Sequence, residues 1–364
     1  MNRRNFLQMT GAVCAGLAFS KSLPAFADAL GTSGWRTFEV ISRVEVLKPN
    51  GVTHCWLPAA LIRDTAYQRT LSNKFSAENG SAKLTKDKVA ALGIVSATYP
   101  ANAKPVLTLT SRVSLKNYAV DLAGSKPAPS QKASKAELEY FLQPGKYVPT
   151  DGIVKDTALK ATKGATTDID KARAIFEWIV DNTFRDPKVK GCGRGDIRGM
   201  LESGDLGGKC ADLNALYVGM ARSVGLPARD VYGIRVVKSE LGYKSLGLNT
   251  DKATKAQHCR AEVYLSQHGW VPVDPADVRK VILEEPPGNR PLSDEMVTKA
   301  RTRLFGSWES NWMAYNYGHD VVLPGSEKQP LVFFMYPQAE TSEGRLDPLD
   351  PDNFKYEIGV KEIS

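Results

Sequence analysis

Gly207-Gly208-Lys209-Cys210-Ala211-Asp212-Leu213-Asn214-Ala215-Leu216-Tyr217-Val218-Gly219-Met220-Ala221-Arg222-Ser223-Val224-Gly225-Leu226-Pro227 is the segment on which the reading of this chain turns. Leu213, Leu216, Tyr217, Met220 and Val224 recur at helical spacing, and Gly225 and Pro227 close the run. The pattern predicts a helix whose first turn carries Cys210. Unpaired N–H groups and the helix dipole favour an anion at that end. A thiolate there has a lowered pKa and becomes a usable nucleophile. Positions 210, 213 and 217 share one face, so the sulfur should point into the domain. The competing reading is an inert core cysteine that happens to start a helix.

A second block shifts the balance. Gln257-His258-Cys259-Arg260-Ala261-Glu262-Val263-Tyr264-Leu265 reads as an alternating strand that opens on a histidine. Gly269-Trp270-Val271-Pro272-Val273-Asp274-Pro275 follows after a short polar turn. Together they predict a β-hairpin with His258 near one strand end and Asp274 near the other. A three-residue loop Ser266-Gln267-His268 pairs Leu265 with Gly269, and hence Arg260 with Asp274. His258 then shares a face with Asp274 at a diagonal spacing of roughly 7–8 Å. An even-length loop without a bulge would put them on opposite faces, so the hairpin register decides whether the two can meet. Adjacent strand residues face opposite sides, which predicts that Cys259 points away from Cys210.

These three blocks, in this order, resemble the transglutaminase-like superfamily. The resemblance covers about 150–280 and implies a papain-like α+β core, with the cysteine-bearing helix packed on an antiparallel sheet. It implies that Cys210 is the nucleophile, His258 the base and then the acid, and Asp274 the group that orients the imidazole. It also implies acyl transfer on amides through a thioester, with no cofactor. Hydrolysis of a peptide or isopeptide is the favoured outcome, as in bacterial members that are peptidases. Cross-linking of proteins and a non-catalytic binding module of the same fold are the alternatives. This chain departs from relatives that have His-x-Trp, since it has His258-Cys259-Arg260. The family's side-chain oxyanion donor is expected upstream of Cys210.

Around this core the sequence divides further. Arg3-Arg4-Asn5-Phe6-Leu7, an apolar stretch Met9 to Phe19 and Ala25-Phe26-Ala27 have the parts of a twin-arginine-type signal peptide over 1–27, cut after Ala27. This predicts a periplasmic or otherwise exported protein that engages the twin-arginine export machinery. Residues 28–125 read as a β-rich domain, with alternating strands over 36–48 and 105–115. Residues 126–147 read as a linker, 148–282 as the catalytic core and 283–364 as a β-rich extension. The polar stretch 64–90 has only weak periodicity.

The 364 residues are 42% apolar and 24% charged, the composition of a folded protein. After residue 30 no apolar run approaches the roughly 18 residues of a spanning helix, so no stable membrane insertion is expected after cleavage. The formal charge is +8, from 48 basic and 40 acidic residues. Arg3, Arg4 and Lys21 leave with the leader, so the mature surplus is five. There is no dense Lys/Arg block, and nucleic acid is not an expected partner. A peptide or protein amide, or an anionic envelope polymer, is. Cleavage also removes Cys14 and leaves Cys55, Cys192, Cys210 and Cys259. No CxxC pair occurs among them, so no metal site is expected. The loop 239–257 runs straight into His258, as lids and specificity loops do.

Overall fold

The computed structural model describes residues 34–123 and 132–364. The stretch 1–27 read as a signal peptide therefore lies outside the described residues, as do 124–131, which include the start of the stretch read as a linker. The described part of that stretch is not plain linker. Ser134 caps a helix Lys135–Tyr140, and Phe141 behind it is fully buried. Among the described residues, no helix is long and apolar enough to cross a membrane.

The fold is α+β, with mostly antiparallel sheets. The core sheet has the order Gly269–Val273, Gln257–Leu265, Ala228–Arg235, Trp312–Asn316. The hairpin register is the odd-loop one: Leu265 pairs with Gly269 and Ala261 with Val273. Gly269 sits at φ +74°, a conformation that favours glycine, and so completes the three-residue turn.

The helix Cys210–Ser223 lies on the face of this sheet that presents Cys259, Ala261 and Val263. The helices Gly152–Ala161, Asp168–Asn182 and Pro275–Glu284 surround it, so every residue from Cys210 to Arg222 is buried. Small residues permit that enclosure. A Cβ on Gly219 would lie 2.2 Å from Ile197 Cδ1. Thr167 caps the helix Asp168–Asn182, its Oγ1 accepting from Asp170 N at 3.2 Å. On the opposite face of the sheet Val231, Trp270 and Trp312 join Phe141 and Tyr317 in a second core.

Beside this unit stands a β-sandwich. One sheet has the order Phe354–Glu362, Arg36–Val46, Val106–Leu115, Gln68–Glu78. The other runs Gly344–Arg345, Gln338–Thr341, Thr53–Pro58, Leu92–Tyr99, Ser81–Asp87. Val44, Leu57, Val95, Leu107 and Phe354 fill the space between them. Residues 283–364 thus divide between units: Trp312–Asn316 completes the core sheet, while Gln338–Thr341 and Phe354–Glu362 enter the two sandwich sheets. The same stretch holds a helix, Glu295–Arg303.

Candidate active site

Cys210 is the first residue of its helix, as the glycine-led pattern predicts. The helix start is fixed by Asp212. Its Oδ2 accepts from Lys209 N at 2.9 Å, and its Oδ1 accepts from Arg194 N at 2.8 Å and Gly195 N at 2.9 Å. One carboxylate therefore ties the helix start to the loop 191–195. Gly193 in that loop has φ +100°, and a Cβ there would lie 1.9 Å from Asp212 Oδ2. The loop brings in Cys192, whose carbonyl accepts from Ala211 N at 2.9 Å.

The Cys210 sulfur meets the thiols of Cys192 and Cys259 and the ring of His258. Hydrogen bonding from these thiols, together with the ring's charge, outweighs burial and holds the Cys210 thiol well below the usual range. The other two thiols move the opposite way, well above it, because an anionic neighbour and burial both disfavour their ionisation. Cys192 Sγ also donates to Gln257 O at 3.3 Å.

The expectation that Cys259 faces away from Cys210 is corrected here. Strand alternation is obeyed, but the helix lies on the face to which Cys259 points, so its first residue meets that thiol. His258 reaches the same sulfur from the strand end. All four cysteines of the described residues are free thiols, with Cys55 remote in the sandwich core.

His258 and Asp274 come together as the register requires. His258 Nε2 lies 2.8 Å from Asp274 Oδ2. Asp274 is fully buried at the cap of the helix Pro275–Glu284, where its Oδ1 accepts from Asp277 N at 3.0 Å. Asn214, one turn beyond Cys210, donates to Asp274 Oδ1 at 3.3 Å and to Cys259 O at 2.9 Å. The nucleophile's helix thus buttresses the carboxylate directly.

Sequence reasoning missed a second carboxylate. Asp277 Oδ2 lies 3.4 Å from His258 Nε2. Arg235 grips Asp277 with both contacts, at 2.6 and 2.8 Å, while Arg260 Nε lies 3.9 Å from Asp274 Oδ2. Burial pulls the His258 pKa down, but Asp277 and Asp274 overcome it and lift it to about 9. Burial, with Asp277 beside it, raises Asp274; Arg235 and His258 hold Asp277 well below the carboxylate range against its own burial. Three anions (Cys210, Asp274, Asp277) thus face three cations (His258, Arg235, Arg260). The ligand atoms of His258, Asp274 and Asp277 fall within 4.8 Å of one another. Two guanidiniums already serve those carboxylates, so a metal ion would be inserted against positive charge. The one signal for Asp277 in the sequence is its place three residues after a strand-ending Asp-Pro, the N3 position of a helix.

Cys210 and His258 open onto a cleft of about 610 Å3. Loop 239–257 forms one wall and is pinned rather than free. Its Lys244 N and Ser245 N donate to Glu285 at 3.0 and 2.9 Å, and Leu246 O accepts from Arg235. The remaining histidines lie outside the site. His319 Nε2 pairs with Asp230 Oδ2 at 2.9 Å, and His54 Nδ1 meets Thr98 Oγ1 at 3.2 Å. Arg229 is a structural ion-pair partner away from the site. It bonds Glu262 at 2.6 Å and Glu137 at 2.9 Å, between the rings of Trp270 and Tyr317.

Comparison with known proteins bears on the family and the fold. The family model of the transglutaminase-like superfamily core matches residues 155–275. An uncharacterised protein of Haemophilus influenzae is 33% identical over 326 residues, covering 86% of this chain and 87% of the relative. The chain belongs to the transglutaminase-like superfamily. Its fold is similar to that of a candidate cysteine protease from Cytophaga hutchinsonii, with a TM-score of 0.56, 14% identity and 92% of each chain covered. The periplasmic domain of TgpA from Pseudomonas aeruginosa is a more distant structural relative, at TM-score 0.35 and 16% identity, covering 70% of this chain and 91% of that one.

Proposed function

We propose that the chain is a cysteine enzyme that hydrolyses peptide or isopeptide amides. One observation carries the reading. A thiol at the first turn of a buried helix meets a histidine whose other nitrogen lies 2.8 Å from a buried carboxylate. In this reading the Cys210 thiolate attacks the amide carbonyl carbon, and the C–N bond breaks as His258 gives its proton to the departing amine. Water then attacks the thioester, with its proton going to His258, and releases the acid and the thiolate. Asp274 keeps the ring aligned, and Asp277 keeps it protonated before attack. The developing oxyanion would be met by the Cys210 N–H and by Gln257 Nε2, a buried cleft nitrogen beside the Tyr356 hydroxyl. Gln257 lies downstream of Cys210 rather than upstream as the resemblance implies. The leader motif supports an envelope substrate reached by twin-arginine export.

The test is thiol labelling with iodoacetamide at neutral pH, followed by peptide mapping. Cys210 alone should react fast, and His258→Ala should slow it at least ten-fold. Four thiols of equal and low reactivity would refute the enzyme reading and favour the binding module.

A further inference from the structure

The walls of the Cys210 cleft are charged with one sign only. Its cations are Arg185, Lys209, Arg235, Lys252, Lys255, Lys280 and Lys355. No Asp or Glu lines the cleft. Some of these cations are answered from behind the wall. Asp277 takes Arg235, Glu284 takes both Arg185 and Lys280, and Glu357 takes Lys355 at 3.2 Å. Lys209, Lys252 and Lys255 have no carboxylate within ion-pair distance among the described residues. Seven cations against three carboxylates leave a surplus of four in one cleft. The whole mature chain has a surplus of only five. Nearly all of the excess charge is therefore compatible with a single concave site, where low-dielectric walls concentrate its field.

Apart from Thr254, Gln257 and the site residues themselves, the rest of the lining carries no polar side chain but the tyrosine hydroxyls. Leu349, Pro351, Phe354, Tyr336 and Tyr356 form a continuous hydrophobic wall. A ligand that satisfies both surfaces has several carboxylates and at least one apolar group.

We propose that the substrate is an anionic peptide, with carboxylates on the residues flanking the scissile amide and an apolar side chain seated on the Leu349–Tyr356 wall. This rests on the reading of Cys210 as the nucleophile. Asp and Glu side chains or the free ends of a short peptide supply these carboxylates; the chemistry the cleft reads is the same. A neutral or basic peptide leaves Lys209, Lys252 and Lys255 without partners and gains no steering.

Two alkylating agents of equal size test this without a known substrate. Iodoacetate is anionic and iodoacetamide neutral. The quantity read is the ratio of their rates at Cys210 in the mature chain, compared with the same ratio for N-acetylcysteinamide in solution. The expected ratio is at least ten-fold above that of the free thiol at 10 mM ionic strength, and it falls as salt is added. Lys252→Glu with Lys255→Glu changes the cleft by four charges. Over about 10 Å of water this should lower the ratio about seven-fold at 10 mM and about two-fold at 150 mM ionic strength. His258 also attracts iodoacetate, but it is present in both proteins and cancels from this comparison. If the double variant does not fold, Lys252→Gln with Lys255→Gln and the salt series on the native chain read the same effect at smaller size.

A reactive Cys210 whose ratio equals that of the free thiol, or is indifferent to the lysine changes, overturns the anionic-substrate proposal and leaves the thiol enzyme standing. A Cys210 inert to both reagents overturns the nucleophile reading, and the proposal with it. Amide peptides matched in length, with internal Glu, with only a free terminal carboxylate, or with Gln throughout, then distinguish the two carboxylate sources. The expected kcat/KM of the better acidic arm exceeds that of the Gln peptide at least ten-fold, and equal values overturn the proposal.

Discussion

Replacing Asp277 by Asn tests whether the imidazolium depends on a carboxylate that the three-residue catalytic pattern does not contain. Lifting His258 from 6.5 to about 9 favours the protonated ring by about 3 kcal/mol. The charge of Asp277 is the largest single source of that lift, Asp274 adds both its charge and a hydrogen bond, and burial and Arg235 oppose both. A unit charge 3.4 Å from the ring nitrogen interacts by about 5 kcal/mol at an effective dielectric constant near 20, before compensation. Its loss also leaves Arg235 facing the ring unneutralised. The lift should therefore vanish, taking the His258 midpoint to about 6.5 or lower. The sign is clear: a proton bound more tightly than usual by the native ring is released at lower pH. The chain has four histidines, so the His258 ring proton can be assigned by its disappearance in His258→Ala and followed through a pH titration by NMR. The thiolate loses its partner at neutral pH, and the onset of iodoacetamide labelling at Cys210 moves upward. Breaking a buried pair costs roughly 3–5 kcal/mol of stability, so Arg235→Met with Asp277→Asn serves as the folded control. A folded variant whose His258 still titrates near 9 would refute the reasoning and give the imidazolium to Asp274 alone.

Turnover on an amide substrate should be abolished by Cys210→Ala, nearly so by His258→Ala, and reduced least by Asp274→Asn; full activity in Cys210→Ala would remove it as nucleophile. Arg229→Leu strands Glu262 in the aromatic core and should lower stability by roughly 3–5 kcal/mol, read as a fall in Tm, without moving the labelling onset of Cys210. Gly193→Ala should disorder the link between Cys192 and the helix start, since its Cβ meets Asp212; it should slow labelling at Cys210 at least several-fold. Arg3→Lys with Arg4→Lys should retain the protein in the cytoplasm, and undiminished periplasmic accumulation would count against the twin-arginine route.

The sequence disclosed the parts of the fold whose signals are local. The Cys210 helix has a periodic face, a glycine-rich start and a Gly-Pro stop, and it spans Cys210–Ser223. The hairpin gave its register because a loop of odd length leaves a single in-face pairing for Leu265 and Gly269. Less legible was the stretch 64–90, which holds the strands Gln68–Glu78 and Ser81–Asp87 around Asn79-Gly80. Both lie at sheet edges with polar, half-exposed faces, so hydrophobic alternation is weak; the Asn-Gly pair, with Asn79 at φ 59°, was the usable signal. In the site, the spacing of Cys210, His258 and Asp274 was visible, but which face of the sheet carries the helix was not, and Cys259 turned on that choice. Asp277 was hidden because its carboxylate is a partner of Arg235, 42 residues away. The charge of the cleft was hidden by averaging: acids elsewhere on the chain offset the lysines that the fold collects.

The apolar wall of the cleft runs into the strand Phe354–Glu362, which carries Phe354 and Tyr356 and pairs with Arg36–Val46. The two are held by contacts such as Arg36 to Glu362, separated by 326 positions. Contacts so distant along the chain are slow to form and cannot close until both partners exist. A chain that lacks residues beyond 347 loses Leu349, Pro351, Phe354 and Tyr356 from the cleft lining, together with the partner strand of Arg36–Val46. The cleft is thus completed only when residues 349–356 are in place, and one of its walls is supplied from a stretch about 140 positions downstream of the thiol it faces.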